Sequence, residues 1–232
     1  NLSYRELVEK SIDLATTIKQ VNPDAEVFGP ALWGHVSFDN LTTADSFEYF
    51  PPFAEYYLSK MKQAEDETGI KLLDVFDMHW YSGDQSVWFN EGAWWWDEVI
   101  EARLNAPRTL WDTSFQEING GTTEPHQMLN RLQSTIDIHY PETKMAVSEY
   151  FYGAPYHISG GLAEADVLGV STTLLERYVS VAGKVSRLAT GVAGEVASKQ
   201  SYVVPKDGPI KNSGVRSFDL RMSDELPIDS RG

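Results

Sequence analysis

The sequence predicts an α/β fold in which helices cover a parallel sheet, and three observations carry that expectation. Segments with apolar residues at helical spacing alternate with short continuous apolar runs, in the order α, β, α, β, α, β, α over residues 1–170. Polar and aromatic clusters follow the apolar runs, where the C-terminal ends of parallel strands would stand. No Gly-x-Gly-x-x-Gly or P-loop pattern follows any run, so a nucleotide-binding version of the fold has no support. A closed barrel needs eight strands over about 250 residues. Three strands are readable here, so the expectation is a partial TIM-type (β/α) barrel, with a complete doubly wound domain as the alternative.

Taken in order, Ser3 and Glu6 form the S-x-x-E capping box, and Tyr4, Leu7, Val8, Ser11, Ile12, Ala15 and Ile18 follow at helical spacing. That helix stops before Asn22-Pro23. Residues 26–33 read as a short buried strand running into an aromatic, polar loop. Pro51 and Pro52 suit a first turn, Phe53, Tyr57, Met61 and Ala64 make a stripe, and Gly69 supplies a stop. Residues 72–78 form the second apolar run, with His79-Trp80-Tyr81 at its end. Residues 82–123 read as irregular, a length that in a compact domain points to function. Met128, Leu129, Leu132 and Ile136 make the next helix, residues 144–148 the third strand, and a helix follows from Leu162 to about Gly169.

Charge and composition narrow the function classes. The 232 residues carry 19 basic and 34 acidic side chains, a net charge of −15, which argues against binding to nucleic acid or to an anionic membrane surface. The chain has no cysteine, so disulfides and thiolate chemistry are excluded. No run approaches the roughly 20 apolar residues of a membrane helix. Asn1 in place of an initiating Met predicts a processed or truncated start. The composition breaks near residue 170: all seven Trp and all five His precede it. The expectation is therefore a partial barrel domain over 1–170 and a separate tail over 171–232, largely irregular or out of frame.

The three strand ends present Trp33 and His35, then Asp77, His79, Trp80 and Tyr81, then Glu149, Tyr150 and Tyr152. A carboxylate among Trp, Tyr and His suits glycoside hydrolysis, which needs an acid or nucleophile at the anomeric carbon and flat apolar faces against the sugar. The scattered histidines show no ligand spacing, so no metal and no cofactor is expected. Trp94-Trp95-Trp96 reads as a sugar platform of which at least one ring packs inward. Asn90-Glu91 reads as a loop.

Four blocks carry a resemblance. Asn22 to Pro30, Leu72 to Tyr81, Asn105 to Asp112, and Val147 to Gly153 followed by His157 to Gly169 resemble successive blocks of glycoside hydrolase family 44, in order and spacing, from about residue 3 to 169. The resemblance implies a TIM-type barrel, here the helix after the fourth strand through the seventh strand and its helix. It implies a secreted, extracellular enzyme that retains anomeric configuration while cutting β-1,4 linkages of glucans, cellulose-type or xyloglucan. Glu149 matches the nucleophile. His79 and Tyr81 match the cluster that orients it, and Trp33, Trp80, Tyr150 and Tyr152 fall where substrate contacts are expected. The family's acid/base Glu belongs to an Asn-Glu-Pro segment that would precede Leu2, and residues 171–232 match neither the eighth strand nor the family's β-sandwich. Two other readings stay open: a non-catalytic, glycan-binding remnant, and a retaining glycosidase acting on xylan or mannan.

Overall fold

The computed structural model describes residues 2–41, 44, 50–174, 179–181 and 202–203. Helix α1, Tyr4–Val21, opens on the expected capping box: Glu6 N donates to Ser3 Oγ at 3.3 Å and Ser3 N donates to Glu6 Oε2 at 2.8 Å. Both donors would otherwise lack an intrahelical partner. At the other end Lys19 Nζ donates to Ala25 O at 2.7 Å and to Asp74 Oδ2 at 2.8 Å, and Val27 N donates to the same oxygen at 2.8 Å. One carboxylate thereby ties the end of α1 to the residues that enter the first two strands.

The sheet runs in the order β1 Phe28–Leu32, β2 Val75–Trp80, β3 Lys144–Tyr150, β4 Val179–Val181 and β5 Tyr202–Val203. The first four strands are parallel and β5 is antiparallel to β4. Helices α3, Phe53–Thr68, and α5, Met128–His139, follow the connections of a βαβ chain. Helix α3 buries Phe53, Ala54, Tyr57, Leu58, Met61 and Ala64, a stripe at helical spacing that meets β2 where Tyr57 stands edge-on to Phe76 at 6.2 Å. It packs against α1 on one side and α5 on the other. The core lies between these helices and the sheet, with Leu72, Leu73, Phe76, Met78, Leu132 and Ile136 fully enclosed.

Three sequence expectations change. The stretch read as irregular contains α4, Asp97–Asn105, between the short 3₁₀ turns Glu91–Ala93 and Ala106–Leu110, and α2, His35–Asp39, sits in the loop after β1. Helix α4 buries only Val99 and Arg103, so it has no apolar stripe for a periodicity argument to find. Helix α6 spans Ile158–Leu174. It starts earlier than expected and takes in Gly160, read as loop, where a Cβ would come within 2.4 Å of Ala154 O. It also runs past residue 170, where the sequence placed a boundary. Beyond it, Val179–Val181 pairs parallel with Met145–Val147, which corrects the expectation of an irregular tail at those positions. The irregular run expected beyond Lys206 lies outside the described residues. Among the described residues no helix is long and apolar enough to cross a membrane.

Candidate active site

Two neighbouring parallel strands end side by side, and their register sets which side chains meet. Met78 of β2 pairs with Val147 of β3, but His79 pairs with Glu149, so the ladder slips past Ser148. Without the slip Glu149 would lie beside Trp80. With it, His79 and Glu149 share one face while Trp80 and Tyr150 share the other, as the pleat requires. The slip is held by Asp77, which accepts from Ser148 N at 3.1 Å and from Ser148 Oγ at 2.6 Å. Burial pushes the Asp77 carboxyl up, and the two Ser148 donations and nearby His79 pull against it.

The Glu149 side chain is 39% exposed and open to a ligand. Its Oε1 accepts a hydrogen bond from the Tyr81 hydroxyl and lies 3.9 Å from His79 Nδ1, beyond hydrogen-bond reach. Burial and then the Glu149 carboxylate push the Tyr81 hydroxyl far above its ordinary range, so it remains a donor. The Tyr81 ring lies 4.6 Å from that of Trp88, whose Nε1 donates to Ser82 O at 2.8 Å. Trp33 follows the Leu32–Met78 pair directly, level with the site, and is 56% exposed.

The rings expected at the ligand divide. Trp80 is 1% exposed, with Nε1 donating to Thr109 Oγ1 at 3.2 Å, and Tyr150 and Tyr152 are equally sealed. None of these three offers a ring face to a sugar. Consecutive strand residues alternate between faces, so His79 excludes Trp80 and Glu149 excludes Tyr150 from the open side. Trp94 is buried while Trp95 and Trp96 are exposed, and Glu91 is an exposed turn residue.

Sequence reasoning missed three buried charged residues around the strand ends. Arg103 of α4 is fully buried and donates from Nε to Tyr152 O at 2.9 Å, and from Nη1 to Ser159 Oγ at 2.8 Å and Trp94 O at 3.2 Å. It joins the loops after β2 and β3 to α6 with no carboxylate partner among the described residues, and burial lowers it to about 10. Glu117 accepts a hydrogen bond from Ser82 Oγ and one from Gly83 N at 2.9 Å. His126 Nε2 stands 3.7 Å from Glu117 Oε2, but burial lowers His126 to about 4, so at neutral pH the contact is not an ion pair. Glu164 of α6 accepts from Tyr150 behind the site. The only sequence signal for Arg103 and Glu117 was the length of the 82–123 stretch, while Glu164 lies inside the His157 to Gly169 block without being singled out. Among the described residues no group of three or more His, Asp or Glu is arranged to hold a metal.

Comparison with known proteins gives consistent matches. The profile of glycoside hydrolase family 44 matches residues 1–84. The chain is 43% identical over 180 residues to Endoglucanase A of Paenibacillus lautus, and 38% identical over 190 residues to Beta-mannanase/endoglucanase A of Caldicellulosiruptor saccharolyticus. In each case 73% of this chain is aligned, and the chain spans 25% and 14% of those two proteins. The crystal structure of the family 44 endoglucanase Cel44A from Clostridium thermocellum superposes with a TM-score of 0.66 at 42% identity, covering 73% of this chain and 35% of that one. A Paenibacillus polymyxa xyloglucanase of family 44, solved with xyloglucan, superposes with the same score at 37% identity and the same coverage.

Proposed function

Residues from about 3 to 169 belong to glycoside hydrolase family 44, and on that premise we propose that the chain serves in retaining hydrolysis of internal β-1,4 linkages in glucans of the cellulose or xyloglucan type, with Glu149 as the nucleophile. The observation that carries this reading is the Glu149 carboxylate itself: open to a ligand at the C-terminal end of β3, with one oxygen held by Tyr81 and His79 beside it. A carboxylate so placed can attack an anomeric carbon. The leaving oxygen takes a proton from a second carboxyl, a glycosyl ester forms on Glu149, and water deprotonated by that second carboxyl releases the sugar with retention. The ionisable side chains that meet Glu149 Oε1 directly are Tyr81 and His79, neither a carboxylate. By the family resemblance the acid/base is assigned to the Glu of an Asn-Glu-Pro segment, and to none of the described residues. Trp33 offers an exposed ring on which a pyranose can stack. A polymeric substrate of this kind places the reaction outside the cell.

The test is Glu149→Gln in a full-length version carrying the acid/base, with an activated aryl β-cellobioside as substrate. An amide cannot form the glycosyl ester, so kcat is expected to fall by about a thousandfold or more with binding retained. A loss of less than about tenfold sinks the assignment. In a second arm the 232-residue chain alone is expected to leave carboxymethyl cellulose uncut, since an unactivated leaving group needs the acid. Cleavage above a buffer blank would put the acid within this chain.

A further inference from the structure

We infer that Glu117 is a positioning residue for the nucleophile: by gripping Ser82 and Gly83 it aims the preceding residue, Tyr81, at Glu149. The inference rests on Glu149 being the nucleophile. Tyr81 lies one residue beyond the end of β2, so no ladder hydrogen bond of that strand directs it. What directs it must be whatever holds the residues that follow. Both oxygens of Glu117 are committed there, Oε1 to the Ser82 hydroxyl and Oε2 to Gly83 N at 2.9 Å. Trp88 completes the grip, with its Nε1 on Ser82 O and its ring against the Tyr81 ring.

The packing around this loop is close. A Cβ at Gly83 would lie 2.4 Å from Gly120 O, and one at Gly120 would lie 2.8 Å from Glu117 Cβ. Gly83 packs on the Gly120 backbone, and Gly120 packs on the Glu117 side chain. Glu117 is itself almost fully buried, where a carboxylate is unfavourable unless donors meet it, and His126, neutral and 3.7 Å away, supplies no charge. An apolar residue would fill the same volume with less desolvation penalty. What an apolar residue lacks is a pair of acceptors matched to two donors on one short loop. A direct role in proton transfer does not fit, because both oxygens are sealed and already bonded.

The experiment is a double-mutant cycle in the full-length protein carrying the acid/base, reading kcat and KM on an activated aryl β-cellobioside. Glu117→Gln keeps the shape but can accept at only one of its two positions. It is expected to lower kcat about tenfold with KM within about twofold, and to add no further loss in a Tyr81→Phe background, because its effect travels through that hydroxyl. Should Glu117→Gln fail to fold, Ser82→Ala removes the same bond from the loop side and carries the same expectation. An unchanged kcat, a loss confined to KM, or losses that multiply in the double variant would each overturn the inference. The two readings fail separately: an active Glu149→Gln removes the nucleophile assignment, whereas a dead Glu149→Gln beside a normal Glu117→Gln overturns only the positioning role.

Discussion

Two tyrosine–glutamate pairs stand on opposite faces of strand β3, and their surroundings make them different groups. On the open face Tyr81 donates to Glu149, whose side chain is within reach of a ligand. On the helix side the very next residue, Tyr150, donates to Glu164 of α6. There both partners are sealed, and Glu164 Oε2 and the Tyr152 hydroxyl have no hydrogen-bond partner among the described residues. Burial pushes Glu164 up to about 8, against the pull of the Tyr150 donation. The same chemistry therefore yields an accessible carboxylate on one side and a largely neutral, space-filling acid on the other. Solvent access, set by the pleat, decides between them.

Three measurements bear on that contrast between the faces. The largest effect is expected from the tryptophans. Trp80→Ala, on the sealed side, should destabilise the fold by about 3–5 kcal/mol through the cavity it leaves. Trp33→Ala, on the open side, should leave the unfolding midpoint unchanged and raise KM several-fold. Equal thermal shifts in the two variants would show that the faces are not distinct.

Next comes pH. The folded protein holds the Glu164 proton up to about pH 8, whereas the unfolded chain releases it near the ordinary value of 4.5. Stability from this group is therefore full below that ordinary value and declines as pH rises through the window to about 8, by an amount on the order of a few kcal/mol. Thermal unfolding of wild type and Glu164→Gln at pH 5 and pH 9 should show a slope in the first and a flatter line in the second. Parallel lines would mean that Glu164 does not titrate in this way. The smallest effect is Tyr150→Phe, which removes one donor from Glu164 and should cost about 1 kcal/mol in unfolding free energy. Its kcat should stay within about twofold of wild type, in contrast to the loss expected for Tyr81→Phe.

Much of the frame was readable along the chain. The capping box at Ser3 and Glu6, the apolar stripe from Phe53 to Ala64, the stop at Gly69 and the apolar runs that lead into His79 and Glu149 all depend on residues a few positions apart. Such signals are local because a helix turn or a strand pleat repeats within four residues. The strand-end carboxylate was legible for the same reason: it follows directly from where an apolar run stops.

Other features were settled by partners far away in sequence. The slip at Ser148 depends on Asp77, 71 residues earlier, and it is this slip that sets Glu149 beside His79. The burial of Trp80, Tyr150 and Tyr152 required knowing which face the helices cover. Helix α4 escaped notice because it buries an arginine in place of an apolar stripe, and Glu117 because its donors, Ser82 and Gly83, lie 35 and 34 residues before it. The sequence by itself determined the α/β order, the strand ends and the presence of a carboxylate at one of them. Only the tertiary structure decided register, facing and the buried charges that hold the loops, because each of those is a pairing between segments whose separation along the chain carries no local trace.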